Sequence, residues 1–338
     1  MALAPAHVPQ PAWRLWYLRQ DITAEITAYT LDVTFSDKLE KHAGEISFSL
    51  EDSSGRWQQT PPTRGDKVQL SIGYDDNLVP CGLFEIDEIE VQGPGDKISM
   101  KGIAAAIGTS LRTHYSRAYE SQSLAQIAGT VAAAHGLTVV GAPEDPGVVS
   151  FERVTQKHET DLGFLYRLAN LHNYTFAVKG SQLVFTARKA LEQAATVLTI
   201  TRSPMLRFAF TSKTGGVHKS ATVSYHDPAT KTLITGSADA DPPVPTGDEL
   251  KLPMRAENEA DAKAKAKAAL HAANMGEVTC SLSLYGDERL LSGLNVMLQG
   301  WGWFDGVYLV ETSSHKLTRG GGYTTDITGR RKRGQSDG

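Results

Sequence analysis

Apolar and polar residues alternate along many short segments of this chain. The clearest apolar sets are Ile46, Phe48 and Leu50; Val68, Leu70 and Ile72; Tyr174, Phe176 and Val178; Leu206, Phe208 and Phe210; and Val278, Cys280, Leu282 and Leu284. A period of two places each set on one face of a half-buried strand. The polar, glycine-containing segments 93–96 and 179–182 are typical of hairpin loops. The chain is therefore predicted to be rich in antiparallel strands.

Three segments have apolar or small residues at the spacing of three and four that predicts helices, namely 121–136, 160–172 and about 258–275. Ser121 or Ser123 is the predicted N-cap of the first helix, and Thr160 is that of the second. The third helix begins with acidic residues and continues with lysines, an order that suits the helix dipole.

The order of these elements predicts three regions and a tail. They are a strand-rich unit over 13–105, an α+β segment with two helices over 106–200, a second strand-rich unit with one helix over 201–330, and a mobile basic tail over 331–338. Residues 227–255 are rich in proline and predict a long loop. The expected fold class is α+β, mainly antiparallel β, with two similar barrel-like units flanking the α+β segment.

The two strand-rich units share three sequence blocks in the same order. The matched blocks are 65–70 with 293–298, 82–86 with 306–310, and the equal glycine-to-glycine spacings 95–102 and 322–329. Glycine turns and alternation recur in unrelated β domains, but three ordered blocks favour an internal duplication. We therefore expect 65–102 and 293–329 to adopt the same antiparallel strand arrangement, with Phe84 and Tyr308 at matching positions.

Composition and charge exclude several classes of function. The 338 residues contain 34 Lys+Arg and 38 Asp+Glu, a formal charge of −4, so neither sequence-specific nucleic-acid binding nor membrane binding by global attraction is expected. Only Cys81 and Cys280 occur, far apart, which argues against a disulfide framework or a zinc site and fits a reducing cytosol. Residues 1–7 lack signal-peptide features, and no apolar run reaches the ~20 residues of a membrane helix. A soluble protein without a membrane anchor is expected.

The sequence predicts no catalytic residue, no cofactor-binding residue and no metal ligand. His158 opens a segment like a zinc-protease helix, but Leu162 stands where the second histidine is needed, so helix capping explains the segment better. The glycine-rich segment 300–306 lies between two strands and predicts a hairpin turn, not a phosphate site. Asp75 and Asp76 could suggest paired carboxylates, but no second acidic cluster completes a site, so residues 75–77 predict a solvated turn. Residues 330–333 predict a solvated tail.

A series of short motifs runs through nearly the whole chain, over about 20–330. They are residues 52–55 followed by Trp57, 64–68 leading to Gly73, 123–128 with the helix ending at 135–137, 159–165, 259–262, 315–317 and 321–325. In this order they resemble the late control protein D family, the hub protein of contractile bacteriophage tails. The hub module of type VI secretion spike proteins (valine-glycine repeat protein G) is similar.

The resemblance implies a structural baseplate hub subunit of a contractile phage tail or a phage-derived particle such as a tailocin. It implies two tube-like β-barrel domains per subunit and a homotrimeric ring, a symmetry adapter that joins the sixfold tail tube to the threefold central spike. The implied partners are the spike and tail tube proteins, with tape-measure and other baseplate proteins as further candidates. The implied location is the virion tail baseplate, assembled in the host cytoplasm. No catalytic residues transfer, because the family pattern carries none.

The end of the chain at Gly338 leaves no room for a β-helical spike, which favours the phage particle over the secretion system. Two alternative functions remain open. One is a tail-tip enzyme that degrades peptidoglycan, which would need a placed carboxylate pair or a metal. The other is a carbohydrate-binding adhesin with Trp301 and Trp303 as its platform.

Overall fold

A computed structural model of the chain describes residues 8–40, 44–105, 111–141, 149–203, 205–228, 230–244 and 247–333. In chain order the strands are β1 (Pro11–Tyr17), β2 (Gln20–Asp21), β3 (Thr30–Lys38), β4 (Glu45–Glu51), β5 (Lys67–Tyr74), β6 (Asn77–Gln92), β7 (Lys97–Ala104), β8 (His114–Ser123), β9 (Thr138–Val140), β10 (Ser150–Thr160), β11 (Tyr174–Lys179), β12 (Gln182–Ala187), β13 (Thr196–Thr201), β14 (Arg207–Ser212), β15 (His218–Asp227), β16 (Thr232–Asp239), β17 (Asp248–Pro253), β18 (Val278–Tyr285), β19 (Asn295–Gln299), β20 (Gly306–Thr318) and β21 (Gly322–Arg331). The helices are α1 (Thr23–Ile26), α2 (Arg56–Gln59), α3 (Leu124–Ala134), α4 (Asp161–Leu171), α5 (Arg188–Gln193) and α6 (Glu259–Asn274), with a 3-10 turn over Gly302–Phe304.

One 13-stranded sheet runs through both strand-rich units. Its order is β14-β18-β21-β20-β3-β4-β7-β6-β5-β1-β2, with β19 paired to β20 and β13 paired to β19. Every pairing in it is antiparallel except β13 with β19. The predicted fold class, α+β and mainly antiparallel β, is confirmed. In the described part of a single chain this sheet is open, with β14 and β2 at the two ends of its main path and β13 at the end of the branch through β19.

The strand order of the first unit is repeated in the second. The sequence β3-β4-β7-β6-β5-β1 corresponds to β14-β18-β21-β20-β19-β13. The register repeats too, because Val68 lies opposite Phe84 in the first unit as Val296 lies opposite Tyr308 in the second. Only the last pair differs, since β1 runs antiparallel to β5 whereas β13 runs parallel to β19. The predicted common arrangement of 65–102 and 293–329 is confirmed.

The two long strands are interrupted at the same place. The register shifts after Ile86 in β6 and after Val310 in β20, and each of these residues lies opposite a glycine. A Cβ atom on Gly102 would stand 3.4 Å from the Glu85 carbonyl oxygen, and one on Gly329 would stand 3.0 Å from the equivalent oxygen of Leu309. Two of the glycines that marked the repeat in sequence, Gly102 and Gly329, therefore lie where a side chain would crowd the neighbouring strand.

The segment between the units forms two smaller sheets, β8 with β10 and β9 with β12 and β11. Its two predicted helices are present as α3 and α4. The Ser123 hydroxyl accepts a hydrogen bond from the Gln126 backbone N–H at 3.2 Å, and the Gln126 side chain accepts one from the Ser123 N–H, which completes a capping box. Thr160 caps α4 through the Gly163 N–H. The apolar faces of both helices pack in one cluster with the core of the first unit.

The prediction of a long loop over 227–255 is wrong. The range contains β16 and β17, which flank β15 in a three-stranded sheet that packs against α6. Prolines suggested a loop, but Pro228 lies in the turn between β15 and β16, and Pro242 and Pro243 lie between β16 and β17. Pro253 ends an edge strand, where proline is tolerated. Pro245 lies outside the described residues.

The prediction of a mobile tail from 331 is wrong for its first residues. Arg331 ends β21, and Arg333 forms an ion pair with Glu277 at 3.1 Å. The buried Arg330 just before it pairs with Glu311 at 2.8 Å. The basic residues 330–333 are therefore held in place by acidic partners that are distant in the sequence. The spacing of residues in the sequence does not reveal such partners. Residues 334–338 lie outside the described residues.

We predict that Gly329→Val and Gly102→Val each lower the free energy of unfolding by about 1–3 kcal/mol, because a Cβ atom there would meet atoms of the neighbouring strands at 3.0–3.4 Å and the larger side chain would overpack the site. Gly215→Val is the control, since no atom lies within 4 Å of the place that its Cβ would take. Urea denaturation of the three variants tests this. Equal stability of all three would contradict the close approach of the strands.

Candidate assembly surfaces

The two units are joined edge to edge within the main sheet. Strand β3 of the first unit pairs with the second half of β20, from Asp32 opposite Thr318 to Lys38 opposite Thr312. The Phe35 ring stacks on the His315 ring with centroids 6.0 Å apart. Because this contact is a backbone ladder and not only a side-chain interface, the two units share one continuous sheet.

A buried carboxylate reinforces this junction. Asp37 on β3 is 6% exposed and forms an ion pair with Lys179 at the end of β11. Its other oxygen accepts hydrogen bonds from the Ser292 backbone N–H at 3.1 Å and from the Ser292 hydroxyl at 2.7 Å. One side chain thus ties together the first unit, the α+β segment and the loop that leads into β19.

His315 lies fully buried beside this carboxylate. Its Nε2 lies 3.0 Å from the Leu290 carbonyl oxygen, which can only accept, so Nε2 carries the hydrogen. Nδ1 then accepts from the Tyr323 hydroxyl at 2.8 Å. Burial away from water lowers the pKa of His315, so the imidazole is neutral near pH 7 and serves as a core residue.

The face of the main sheet opposite the apolar core is rich in hydroxyl groups. On the inner strands it presents Thr34, Ser36, Ser47, Ser49, Ser99, Lys101, Glu88, Thr312, Ser314, Lys316, Asp326, Thr328, Ser281 and Ser283. These side chains are half-buried or exposed, apart from Ser49. Hydroxyls bond across strands, as in Ser36 with Ser314 at 3.2 Å, which spans the junction of the units. Of the charged side chains on this face, Lys101 pairs with Glu88 at 2.9 Å, and Asp326 accepts a hydrogen bond from the Ser283 hydroxyl. This polar face therefore runs without interruption from one unit to the other.

Among the described residues, the edges of the main sheet that carry no partner strand include those of β13, β2 and two others that matter here. One is the outer edge of β14, and the other is the second half of β6, beyond the part that pairs with β5. The sequence predicted β14 as a half-buried strand. The strand is present, but Phe208 is 40% exposed and Leu206 is 46% exposed. An unpaired edge that carries exposed apolar side chains is a potential site of strand addition.

The two tryptophans of the predicted hairpin have different surroundings. Trp301 packs against Phe210 and Phe208, with ring centroids 5.5 and 5.9 Å away. Trp303 is 56% exposed and lies under the Arg331 guanidinium, 4.6 Å from its ring centroid. The segment connects β19 to β20, as the sequence predicted. Trp301 thus packs partly into the core of the second unit, which leaves one indole for a sugar platform.

The candidate chemical groups lie in structural roles. His158 falls at an irregularity of β10, and Glu159 forms an ion pair with Arg167 at 2.8 Å. The hydrogen bond from Arg167 holds the pKa of Glu159 below its usual value, so this carboxyl is a poor proton donor at pH 7. Asp75 and Asp76 form the two-residue turn between β5 and β6. Within the described ranges, no group of three or more His, Cys, Asp or Glu side chains could hold a metal ion.

Sequence patterns missed a buried polar network at the start of α4. Asp161 is fully buried, and its carboxylate lies 2.8 Å from His135 Nε2 and 2.8 Å from Gln156 Nε2, with Arg117 at 3.7 Å. An aspartate at the first position of a helix is explained by the helix dipole alone, so the sequence carried no signal of this network. The His135 side chain is only 6% exposed, which closes the pair to a substrate.

No protein-family model matches the chain. It is 26% identical to the probable baseplate hub protein of Escherichia phage 186 over 212 residues, which are 62% of this chain and 52% of that protein. The probable baseplate hub protein of Escherichia phage P2 is 26% identical over 220 residues, 64% of this chain and 56% of that protein. The chain spans about half the length of the curated relatives it matches.

Solved structures share the fold over nearly the whole chain. The 43 kDa tail protein of prophage MuSo2 from Shewanella oneidensis matches with a TM-score of 0.74 at 13% identity, covering 95% of this chain and 98% of that one. A tail protein from Neisseria meningitidis MC58 matches with a TM-score of 0.72 at 13% identity, covering 96% and 97%. An Escherichia coli component of the type VI secretion system matches with a TM-score of 0.54 at 13% identity, covering 90% and 74%.

The fold is that of phage tail proteins. Within that class, the sequence relatives are baseplate hub proteins, so the resemblance predicted from the motifs is confirmed. Among the described residues, no helix has the length and apolar character that crossing a membrane requires.

We predict that Asp37→Asn lowers the free energy of unfolding by about 1–3 kcal/mol, because the nearly buried carboxylate, on a side chain that is 8% exposed, pairs with Lys179 and accepts two hydrogen bonds from Ser292. Lys38→Gln is the matched control on the neighbouring residue, since its pair with Glu45 is solvent-accessible and contributes little. Urea denaturation compares the two. An Asp37→Asn variant as stable as the control would show that the carboxylate does not hold the junction.

Proposed function

We propose that this chain is a structural subunit of the baseplate hub of a contractile phage tail or a phage-derived particle. The observation that carries the proposal is the repetition of one strand order, in the same register, in two units that share a single sheet. A subunit with two near-equivalent units can present six of them when three subunits close a ring. Such a ring can meet a sixfold tube on one side and a threefold spike on the other.

The polar face is the proposed wall of the central channel. The other face of the sheet carries the core and is covered, so only the polar face is free to line a water-filled passage. Its hydroxyls, with Lys101 and Lys316 against Glu88 and Asp326, give a surface of nearly balanced charge without large exposed apolar groups. Such a surface would not bind passing cargo through hydrophobic contacts. It would also not retain a polyanion by electrostatic attraction, because it has no excess of positive charge.

The differences between the units support the threefold character. Strands β14 and β18 of the second unit are separated by the small sheet of β15–β17 and by α6. The equivalent strands of the first unit, β3 and β4, are separated by residues 39–44 alone. In a ring of three subunits the sheets would repeat six times, and the added sheet with its helix would repeat three times. The tube protein is the proposed partner of the repeated sheets, and the spike protein that of the threefold features.

We propose no enzymatic activity for the chain. The curated relatives are named as probable hub proteins, and the groups considered as catalytic candidates lie at a strand irregularity, in an ion pair and in a turn. The adhesin alternative is weakened by the packing of Trp301 against Phe210 and Phe208. A glycan array tests this alternative. Binding of a sugar by the wild type that is lost in a Trp303→Ala variant would support the adhesin function.

We predict that the chain forms a complex of three copies with its spike protein and its tube protein. Closed rings are the usual outcome of repeated head-to-tail contacts, and two units per chain match a sixfold tube at three copies. Native mass spectrometry of the co-expressed proteins counts the subunits. A stable complex with any other copy number would contradict the symmetry argument.

We predict that alanine substitution of His158, Glu159, Asp75 or Asp76, one at a time, leaves particle function intact, since none is assigned to catalysis. A complementation test of infectivity or killing measures this. The Asp37→Asn variant, which is expected to be less stable, shows what a structural defect does in the same test. Loss of activity in particles that still assemble normally would reveal an active site and refute the structural assignment.

A further inference from the structure

Two unpaired edges of the main sheet, the outer edge of β14 and the second half of β6, correspond to the two edges that pair with each other at the junction, β3 and the second half of β20. Strand β14 holds in the second unit the place that β3 holds in the first. The run Phe35–Ile46–Gly102–Ile86 across four neighbouring strands is repeated as Phe210–Cys280–Gly329–Val310. Phe210 is therefore the structural counterpart of Phe35.

The same correspondence holds for the two long strands. Glu88 is the first paired residue after the irregularity in β6, as Thr312 is in β20. Counting onward, Val91 is the counterpart of His315. In β20 this half of the strand pairs with β3, whereas in β6 it has no second partner among the described residues.

Burial at these positions differs as expected for a missing strand. His315 is fully buried and Val33 is 2% exposed, whereas their counterparts Val91 and Phe208 are 51% and 40% exposed. The apolar side chains thus occur on both free edges at the places where the junction buries its own. Covering them would remove apolar surface from water, which stabilises the covered state.

The charges on the two free edges are opposite. The β6 edge carries Asp87, Glu88 and Glu90, of which Asp87 also pairs with Arg112 and Glu88 with Lys101, and the β14 edge is flanked by Arg207 and Lys213. Applying the register of the junction, Val91 falls opposite Phe210 and Glu88 falls opposite Lys213. Six strands separate β14 from β6 in the sheet, so one chain presents its two edges on opposite sides, as a head-to-tail contact requires.

We propose that β14 of one chain pairs antiparallel with residues 88–92 of β6 in a second copy of the same chain, in the register that sets Val91 opposite Phe210. The inference rests on the proposed hub function and names the surface that would close its ring. Each chain both offers and accepts one edge, so the main sheet continues from subunit to subunit. The polar face then continues with it around the channel.

Disulfide trapping tests the register. A chain carrying Val91→Cys and Phe210→Cys, co-expressed with the spike and tube proteins and mildly oxidised, should give covalent trimers on a non-reducing gel, because residues directly opposite have Cβ atoms about 4.5–5.5 Å apart. The matched control is Val91→Cys with Ala209→Cys, since Ala209 points to the other face of β14 and should give little cross-linking. The wild type, which retains Cys81 and Cys280, sets the background.

Charge exchange provides the second test and does not depend on oxidation. Glu88→Lys should reduce the yield of assembled trimer at least about tenfold, and adding Lys213→Glu to the same chain should restore most of it. Trimers that assemble without the Val91–Phe210 cross-link and without this rescue would overturn the proposed pairing while leaving the hub function intact. A wild-type chain that forms no ring with its partners would instead refute the hub function itself.

Discussion

The pairing of β3 with β20 is the interaction on which the rest of the structure depends. It converts two similar units into one sheet, with a fixed register of seven residue pairs. Asp37 lies on this same strand and binds Lys179 and Ser292, so the α+β segment is oriented by the junction as well. Without this ladder the units would be two separate small domains, and neither the continuous polar face nor the matched pair of free edges would exist.

Much of the fold was predictable from periodicity. Alternation located β4, β5, β11, β14 and β18, and the helical spacing located α3, α4 and α6. The repeat was visible because glycines such as Gly102 and Gly329 stand where strands approach closely, and that steric need leaves a mark in sequence. The strands β16 and β17 within 227–255 were not predicted, because the prolines between them are typical of a loop. These strands are stabilised by packing on α6, which the local sequence does not show.

The assembly surfaces were less predictable than the elements that form them. Hydrophobic period two indicates which residues share a face, but not which strand lies beside which. The β3–β20 contact joins residues that are far apart in the sequence, such as Asp32 and Thr318, and no local pattern encodes it. The buried network of Asp161, His135 and Gln156 was hidden for the same reason, since its members come from three elements that only the tertiary fold brings together.

The repeat and the polar face together form the central claim, that two units of one chain build adjoining parts of a channel wall. Cryo-electron microscopy of the assembled hub tests it directly, because a density map shows which face of each sheet lines the passage. The account predicts six strand-rich units around the channel, with Ser47 of each first unit and Ser281 of each second unit facing the lumen. A map in which the second units lie outside the wall, or in which these serines face away from the channel, would contradict it.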